Sequence, residues 1–212
     1  MLVRSIYKNS LVLGAFALLS IGLIALFHTL TKERILAEME AKLARTLDEL
    51  IPPSHYNNDV YHDCTLLASQ DKTKNIRFYR MRVDNKPYAT VFTTTAPDGY
   101  SGAIELIIGI TAENNIAGVR VIEHNETPGL GDKIELKKSD WMLQFKALSL
   151  ATVPADQWKV KKDGGRFDSF TGATITPRAV LSAIRRSLEY VEENKDAIFT
   201  QPSNCGAINE RQ

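Results

Sequence analysis

An excess of charge of either sign is what this chain most lacks. Lysine plus arginine number 26 against 25 aspartates and glutamates, a net charge of +1, and the basic residues are scattered along the 212-residue chain. Without a basic run or patch there is no electrostatic footprint for nucleic acid, which is excluded as a partner. Cysteine is scarce. The only two, Cys64 and Cys205, lie far apart and make no CxxC redox or zinc motif. The histidines are limited to His28, His55, His62 and His124, with no pair at helical ligand spacing. His124, near Glu123 and Glu126, therefore reads as a solvated strand end, not a metal ligand. GxSxG, the P-loop pattern and GxGxxG are all missing, which removes the hydrolase elbow and two common phosphate-binding loops. Neither low-complexity tract nor internal repeat occurs, and aromatics stand at an ordinary 8%.

One stretch departs from soluble composition. Residues 11–30, LVLGAFALLSIGLIALFHTL, carry no fixed charge and match the thickness of a bilayer core. Arg4 and Lys8 precede them with no acidic residue, so residues 1–8 are expected in the cytoplasm and a helix over 9–30 across the membrane. The remainder then faces the outer side, the periplasm of a bacterium. A cleaved signal peptide is the rival, but the run is long for one and FHTLTKER offers no small-x-small cleavage site.

Residues 31–52 read as a second, amphipathic helix. Ile35, Met39, Leu43, Leu47 and Leu50 mark one face and Pro52-Pro53 stops it. It either continues the membrane helix as a stalk or packs on the domain. IRFYRMRV (76–83) and YATVFTTT (88–95) flank the turn DNKP; IELIIGI (104–110) and IAGVRVIE (116–123) flank TAENN. Both pairs read as antiparallel hairpins. Helical patterns return in SDWMLQFKAL (139–148) and after Thr176, where Val180, Ile184, Leu188 and Val191 recur at helical spacing. Hairpins with packed helices predict an α+β domain over 53–200, followed by a tail at 201–212.

Three glycine-bearing loops hold the candidate chemistry. In DSFTGATITPRAV (168–180), Thr176 is suited to cap the following helix and Pro177 to open it. The Thr171-Gly172-Ala173-Thr174 turn is then either a structural turn with a cap or an anion site at a helix N-terminus. ETPGLG (126–131) and APDGYSGAI (96–104) are loops whose backbone a flat ligand can approach closely. For Cys64 and Cys205, an oxidising compartment favours a disulfide tying the tail to the start of the domain; two free thiols are the alternative.

DSFTGAT resembles the flavinylation motif Asp-x-x-[Ser/Thr]-Gly-Ala-Thr, whose last threonine carries FMN through a phosphoester. Taken with TAPDGYSGAIELIIGI, HNETPGLGDKI and VKKDGGRFDSFTGATITP, nearly the whole chain resembles the G subunits of the Rnf (Rsx) electron-transport complex. These are relatives of the C subunit of the sodium-pumping NADH:quinone reductase. The resemblance implies FMN on Thr174, attached by a separate Mg²⁺-dependent flavin transferase that takes it from FAD and recognises Asp168. Thr171, Gly172 and Ala173 shape the acceptor turn, and the helix start at Thr176 faces the phosphate. Ser101, Glu126, Thr127, Gly129 and Leu130 are the expected flavin contacts. The implied function is electron relay, with the other subunits as partners, in an inner-membrane complex that couples exchange between NADH and ferredoxin to ion movement. The rivals are a flavin-free membrane-anchored scaffold, with a merely structural TGAT turn, and a periplasmic small-molecule enzyme built on the same loops.

Overall fold

The structure, a computed structural model, describes residues 2–69 and 74–205. It divides into two compact units, Met1–Thr46 and Leu47–Gln212. The first consists of most of helix α1 (Leu2–Leu50), which runs for 49 residues. The two helices expected from sequence are thus one, because nothing between residues 30 and 31 breaks the backbone pattern. Thr29 and Thr31 return their hydroxyls to the carbonyls of Leu26 and Phe27, within the helix. Asn9–Lys32 is long and apolar enough to cross a membrane, and its leucines and isoleucines are exposed, as single-pass anchoring requires. Of the expected amphipathic stripe, Ile35, Met39 and Leu43 lie outside the described side chains.

The second unit is an α+β domain around one antiparallel sheet. Strands β1 (Cys64–Ala68), β2 (Asn75–Val83), β3 (Lys86–Gly99), β4 (Gly102–Thr111) and β5 (Ile116–Glu123) lie side by side in chain order. Both predicted hairpins form, and a third joins them: the loop expected at 96–104 is mostly strand, turning only at Tyr100 and Ser101. Asp84 and Asn85 both adopt positive φ, 49° and 63°, which closes β2 on β3 with the two-residue turn that matches strand twist. Strand β1 has no counterpart in the sequence reading, since CTLLA is too short to show a period.

Both faces of the sheet are covered, which explains why β4 reads as an almost unbroken apolar run. Phe78, Phe92, Leu106 and Ile108 belong to the core shared with helix α2 (Ile175–Thr200), whose Val180, Ile184, Leu188 and Val191 are buried as the spacing predicts. Met81, Val91 and Ile107 are also buried, with Leu47, Leu50 and Ile51 at and just after the end of α1. A Cβ on Gly118 of β5 would stand 2.9 Å from Leu50, so the chain leaving α1 packs directly on the sheet. The 139–148 segment becomes a 3₁₀ turn, Asp140–Phe145, with Ser139 accepting the Trp141 amide. Ala147 at φ 64° prevents its continuation as a helix.

At the far end of α2 the tail folds back along β1. Asn204 accepts the Leu66 amide at 2.6 Å and donates its own to Cys64, which covers the outer edge of that strand. Cys205 is disulfide-bonded to Cys64 across 5.8 Å between their Cα atoms.

Candidate functional site

The segment before α2 forms a tight turn. The Ala173 amide donates to the Phe170 carbonyl at 3.1 Å, and Gly172 takes φ 78°, a conformation costly for any residue with a Cβ. Thr171 and Gly172 are exposed at the tip, while Ala173 and Thr174 are half-buried. Helix α2 then begins two residues earlier than Thr176 capping would require. Thr174 occupies the cap position with helical backbone (φ −81°, ψ −27°), and its side chain makes no capping hydrogen bond.

Thr176 is therefore not the cap. It sits in the first turn, fully buried, and donates its hydroxyl to Glu126 Oε2. Pro177 follows inside that turn instead of opening it, and leaves the Ile175 and Thr176 amides as first-turn donors. The competing principle is burial: a buried carboxylate outweighs a solvent-facing cap as partner for a hydroxyl.

Glu126 joins all three loops. Its Oε1 accepts the Ser101 amide at 3.0 Å while Oε2 takes Thr176. The ETPGLG segment coils back on itself, with the Leu130 and Gly131 amides donating to the Thr127 carbonyl at 3.1 and 3.0 Å. Gly129 has φ 76°. Leu130 is 41% exposed, and a Cβ on Gly172 would lie 3.6 Å from its Cδ2, so this loop and the threonine turn are neighbours. Exposed apolar side chains of Tyr100, Leu130 and Ile175 come one from each of the three loops.

Asp168 is at the approach to the turn, with its carboxylate exposed and paired to Lys161 at 2.7 Å. Its carbonyl accepts the Trp141 indole N–H at 2.9 Å. Trp141 lies edge-on to Phe170 and Phe145, at 5.1 and 5.0 Å between ring centroids. Trp158 and Phe167 extend this aromatic floor under the turn. Asp163 receives a two-pronged ion pair from Arg178 in the first turns of α2, with both contacts 2.6 Å. That hydrogen-bonded guanidinium holds the Asp163 carboxyl below the usual aspartate range.

Of the residues singled out from sequence, Ser101, Glu126, Thr127, Gly129, Leu130 and the 171–176 segment gather at one end of the domain. Asp168 borders them. The reading of His124 as a solvated strand end is corrected. Its side chain is 12% exposed, its Nδ1 accepts the Glu126 amide, and its Nε2 is 3.0 Å from Glu135. Trp141 and Glu135 were not anticipated, because neither lies in a glycine-bearing loop and only chain folding brings them here. Among the described residues, no cluster of three or more histidine, cysteine or acidic side chains is arranged to hold a metal ion.

Comparison with known proteins agrees with this geometry. Residues 99–189, which include the 126–131 and 171–176 loops and the Tyr100-Ser101 turn, match the FMN-binding domain, and residues 1–50 match the RnfG N-terminal region. The G subunit of the ion-translocating oxidoreductase complex from Vibrio atlanticus is 43% identical over 97% of this chain and 99% of its own length. The G subunits from Pseudoalteromonas atlantica and Shewanella loihica are 48% and 45% identical, over 94% and 95% of this chain and 94% and 97% of theirs. The chain belongs to the family of G subunits of ion-translocating oxidoreductase complexes. The resemblance read from its motifs is thereby borne out, as is an α+β domain behind a single N-terminal apolar helix. Within that family assignment, Ser101, Glu126, Thr174 and Thr176 all fall inside the FMN-binding domain.

Proposed function

We propose that this protein carries FMN covalently on Thr174 and relays electrons within a membrane complex. The complex couples exchange between NADH and ferredoxin to ion translocation, and its other subunits are the partners. The observation that carries the reading is Thr174 itself. It ends the DSFTGAT motif, half-buried at the start of α2, with its hydroxyl not spent on the helix cap. Thr176 is committed to Glu126 and fully buried, which leaves Thr174 and the exposed Thr171 as the reachable hydroxyls of the cluster.

Attachment follows from these residues. The Thr174 oxygen attacks the FMN phosphorus of FAD on the flavin transferase. A P–O bond forms to Thr174, the pyrophosphate P–O bond breaks, AMP leaves and the hydroxyl proton is lost to the transferase. The Ile175 and Thr176 amides at the positive end of α2 would hold the single negative charge of a phosphodiester on Thr174. Bound FMN supplies reversible electron transfer, and because the link runs through phosphate, its potential is set by surrounding contacts and burial. Leu130, Tyr100 and Ile175 offer apolar surface to a flat ring beside the turn, and Gly172 leaves space for it.

The same reading places residues 1–8 in the cytoplasm, 9–30 across the inner membrane, 31–52 as a stalk, the 53–200 domain in the periplasm and 201–212 as a tail. Arg4 and Lys8 support that orientation. The test is intact-mass spectrometry of the chain produced with its transferase, with fluorescence of the denatured band under ultraviolet light. A gain of one FMN minus water, mapped to the peptide holding Thr174, is expected. A dark band at unmodified mass sinks the proposal.

A further inference from the structure

Glu126 stands among the expected flavin contacts, and its surroundings suit it to a further task. It is 5% exposed, and both carboxylate oxygens are engaged, one by the Ser101 amide and one by the Thr176 hydroxyl. Its own amide donates to His124 Nδ1 at 3.0 Å, which makes that nitrogen an acceptor and leaves Nε2 to carry the proton toward Glu135. Glycines pack against it from two loops. A Cβ on Gly99 would stand 2.9 Å from Oε1, and one on Gly131 2.8 Å from Oε2. A carboxylate enclosed in this way cannot turn toward a ligand without leaving an amide or a hydroxyl unpaired inside the protein.

We propose that Glu126 is a positioning residue for flavin attachment, drawing the 99–102, 126–131 and 171–176 loops together so that Thr174 is held where the transferase can use it. The inference rests on Thr174 being the acceptor. Thr176 is two residues from Thr174 on the same helical turn, so fixing its side chain fixes the start of α2 and the backbone that carries the acceptor oxygen. The clasp is specific to a carboxylate. Glutamine offers one acceptor oxygen for two donors, and its NH₂ group would face either the Ser101 amide or the Thr176 hydroxyl. Charge-assisted bonds to both donors are stronger than neutral ones, which suits a residue holding two loops at once.

The experiment follows mass gain with time on the full-length chain, supplied with transferase, FAD and Mg²⁺, well below the unfolding temperature of every variant used. Glu126→Ala is expected to slow attachment to Thr174 by about tenfold or more, as small misplacements of reacting groups do. Glu126→Gln falls between it and wild type. Thr176→Val, which keeps the shape and removes the hydroxyl, is expected to slow attachment as well, and Thr176→Ser to restore it. Variants that lose thermal stability yet load FMN at the wild-type rate overturn the proposal, because a merely structural contact would leave that rate unmoved. Should Glu126→Ala not fold, the Thr176 pair decides: wild-type loading of Thr176→Val overturns it, and slow loading rescued by Thr176→Ser supports it. A wild-type chain that gains no FMN takes down the attachment reading and this one together. Normal wild-type loading with undiminished variants takes down this one alone.

Discussion

Gly131 and Thr176 are so close that a Cβ built on the glycine would stand 2.8 Å from the threonine hydroxyl. The same atom would stand 2.8 Å from Glu126 Oε2, so an alanine there presses on both halves of one hydrogen bond. Gly131→Ala is expected to cost about 1–3 kcal/mol, the usual penalty of overpacking a tight interior. Chemical denaturation of the two proteins measures it, and an unchanged midpoint would show that the loops yield freely.

The three threonines of the turn are expected to separate by role. Thr174→Ala abolishes covalent FMN while changing stability by about 0.5 kcal/mol or less, since its side chain makes no cap. Thr176→Ala keeps the acceptor but strands Glu126 Oε2 inside the protein, at a cost of about 1–3 kcal/mol. Thr171→Ala, at the exposed tip, leaves both the acceptor and the fold. Intact mass and thermal unfolding of the three variants check this. FMN retained by Thr174→Ala would refute the assignment.

Cys64 and Cys205 close a loop with a sequence separation of 141. Their replacement by serine is expected to lower stability by about 4–5 kcal/mol on chain-entropy grounds. The loss should appear as a lower denaturation midpoint, reproduced in the wild-type protein by reductant. Alkylation of both thiols in unreduced, freshly isolated protein would rule the bridge out.

Arg80 is almost wholly buried, pairs with Asp63, and donates to the carbonyls of Ile198 and Gln201 at the C-terminal end of α2. Burial lowers its pKa from the usual arginine value, and the neighbouring Asp63 opposes that shift. Arg82 donates to the other oxygen of Asp63 and to the Phe199 carbonyl. Arg80→Met takes the donors from the Ile198 and Gln201 carbonyls while Arg82 still pairs with Asp63, and is expected to destabilise by about 1–3 kcal/mol. Denaturant titration reads the difference. A change of only a few tenths would mean that the network adds nothing to holding α2 on the sheet.

The Asp163–Arg178 pair carries a pH signature. Asp163 titrates below its ordinary value when folded, chiefly through the hydrogen bonds from Arg178. Its contribution to stability is therefore complete above the unfolded-state pKa and disappears as pH falls through the lower folded one. Both groups are exposed at the surface, so the effect belongs to the titration curve more than to the stability curve. Carboxyl-detected NMR should place the Asp163 midpoint below that of an unpaired aspartate, and Arg178→Gln should raise it. No movement in that variant would assign the shift elsewhere.

Local chemistry was enough for much of the fold. The uncharged run at 11–30, the alternation in 76–83, 88–95 and 116–123 and the stripe of Val180, Ile184, Leu188 and Val191 each state a period that one backbone conformation satisfies. The threonine turn was equally readable, because Gly172 and the residues around it specify a bend before a helix. Those signals are nearest-neighbour properties and survive without tertiary structure.

What escaped the sequence depended on distant partners. Thr176 has every property of a helix cap, yet Glu126, 50 residues away, takes its hydroxyl. His124 looks like a strand end open to water, yet Glu126 and Glu135 enclose it. The sequence by itself determined the apolar helix, strands β2 to β5, helix α2 and the motif that names Thr174, because these rest on local backbone preference and periodic burial. Only the tertiary structure decided which hydroxyl is spent inside the protein and which stays available. A side chain with several local options adopts the one that a buried charge elsewhere in the fold makes costly to refuse.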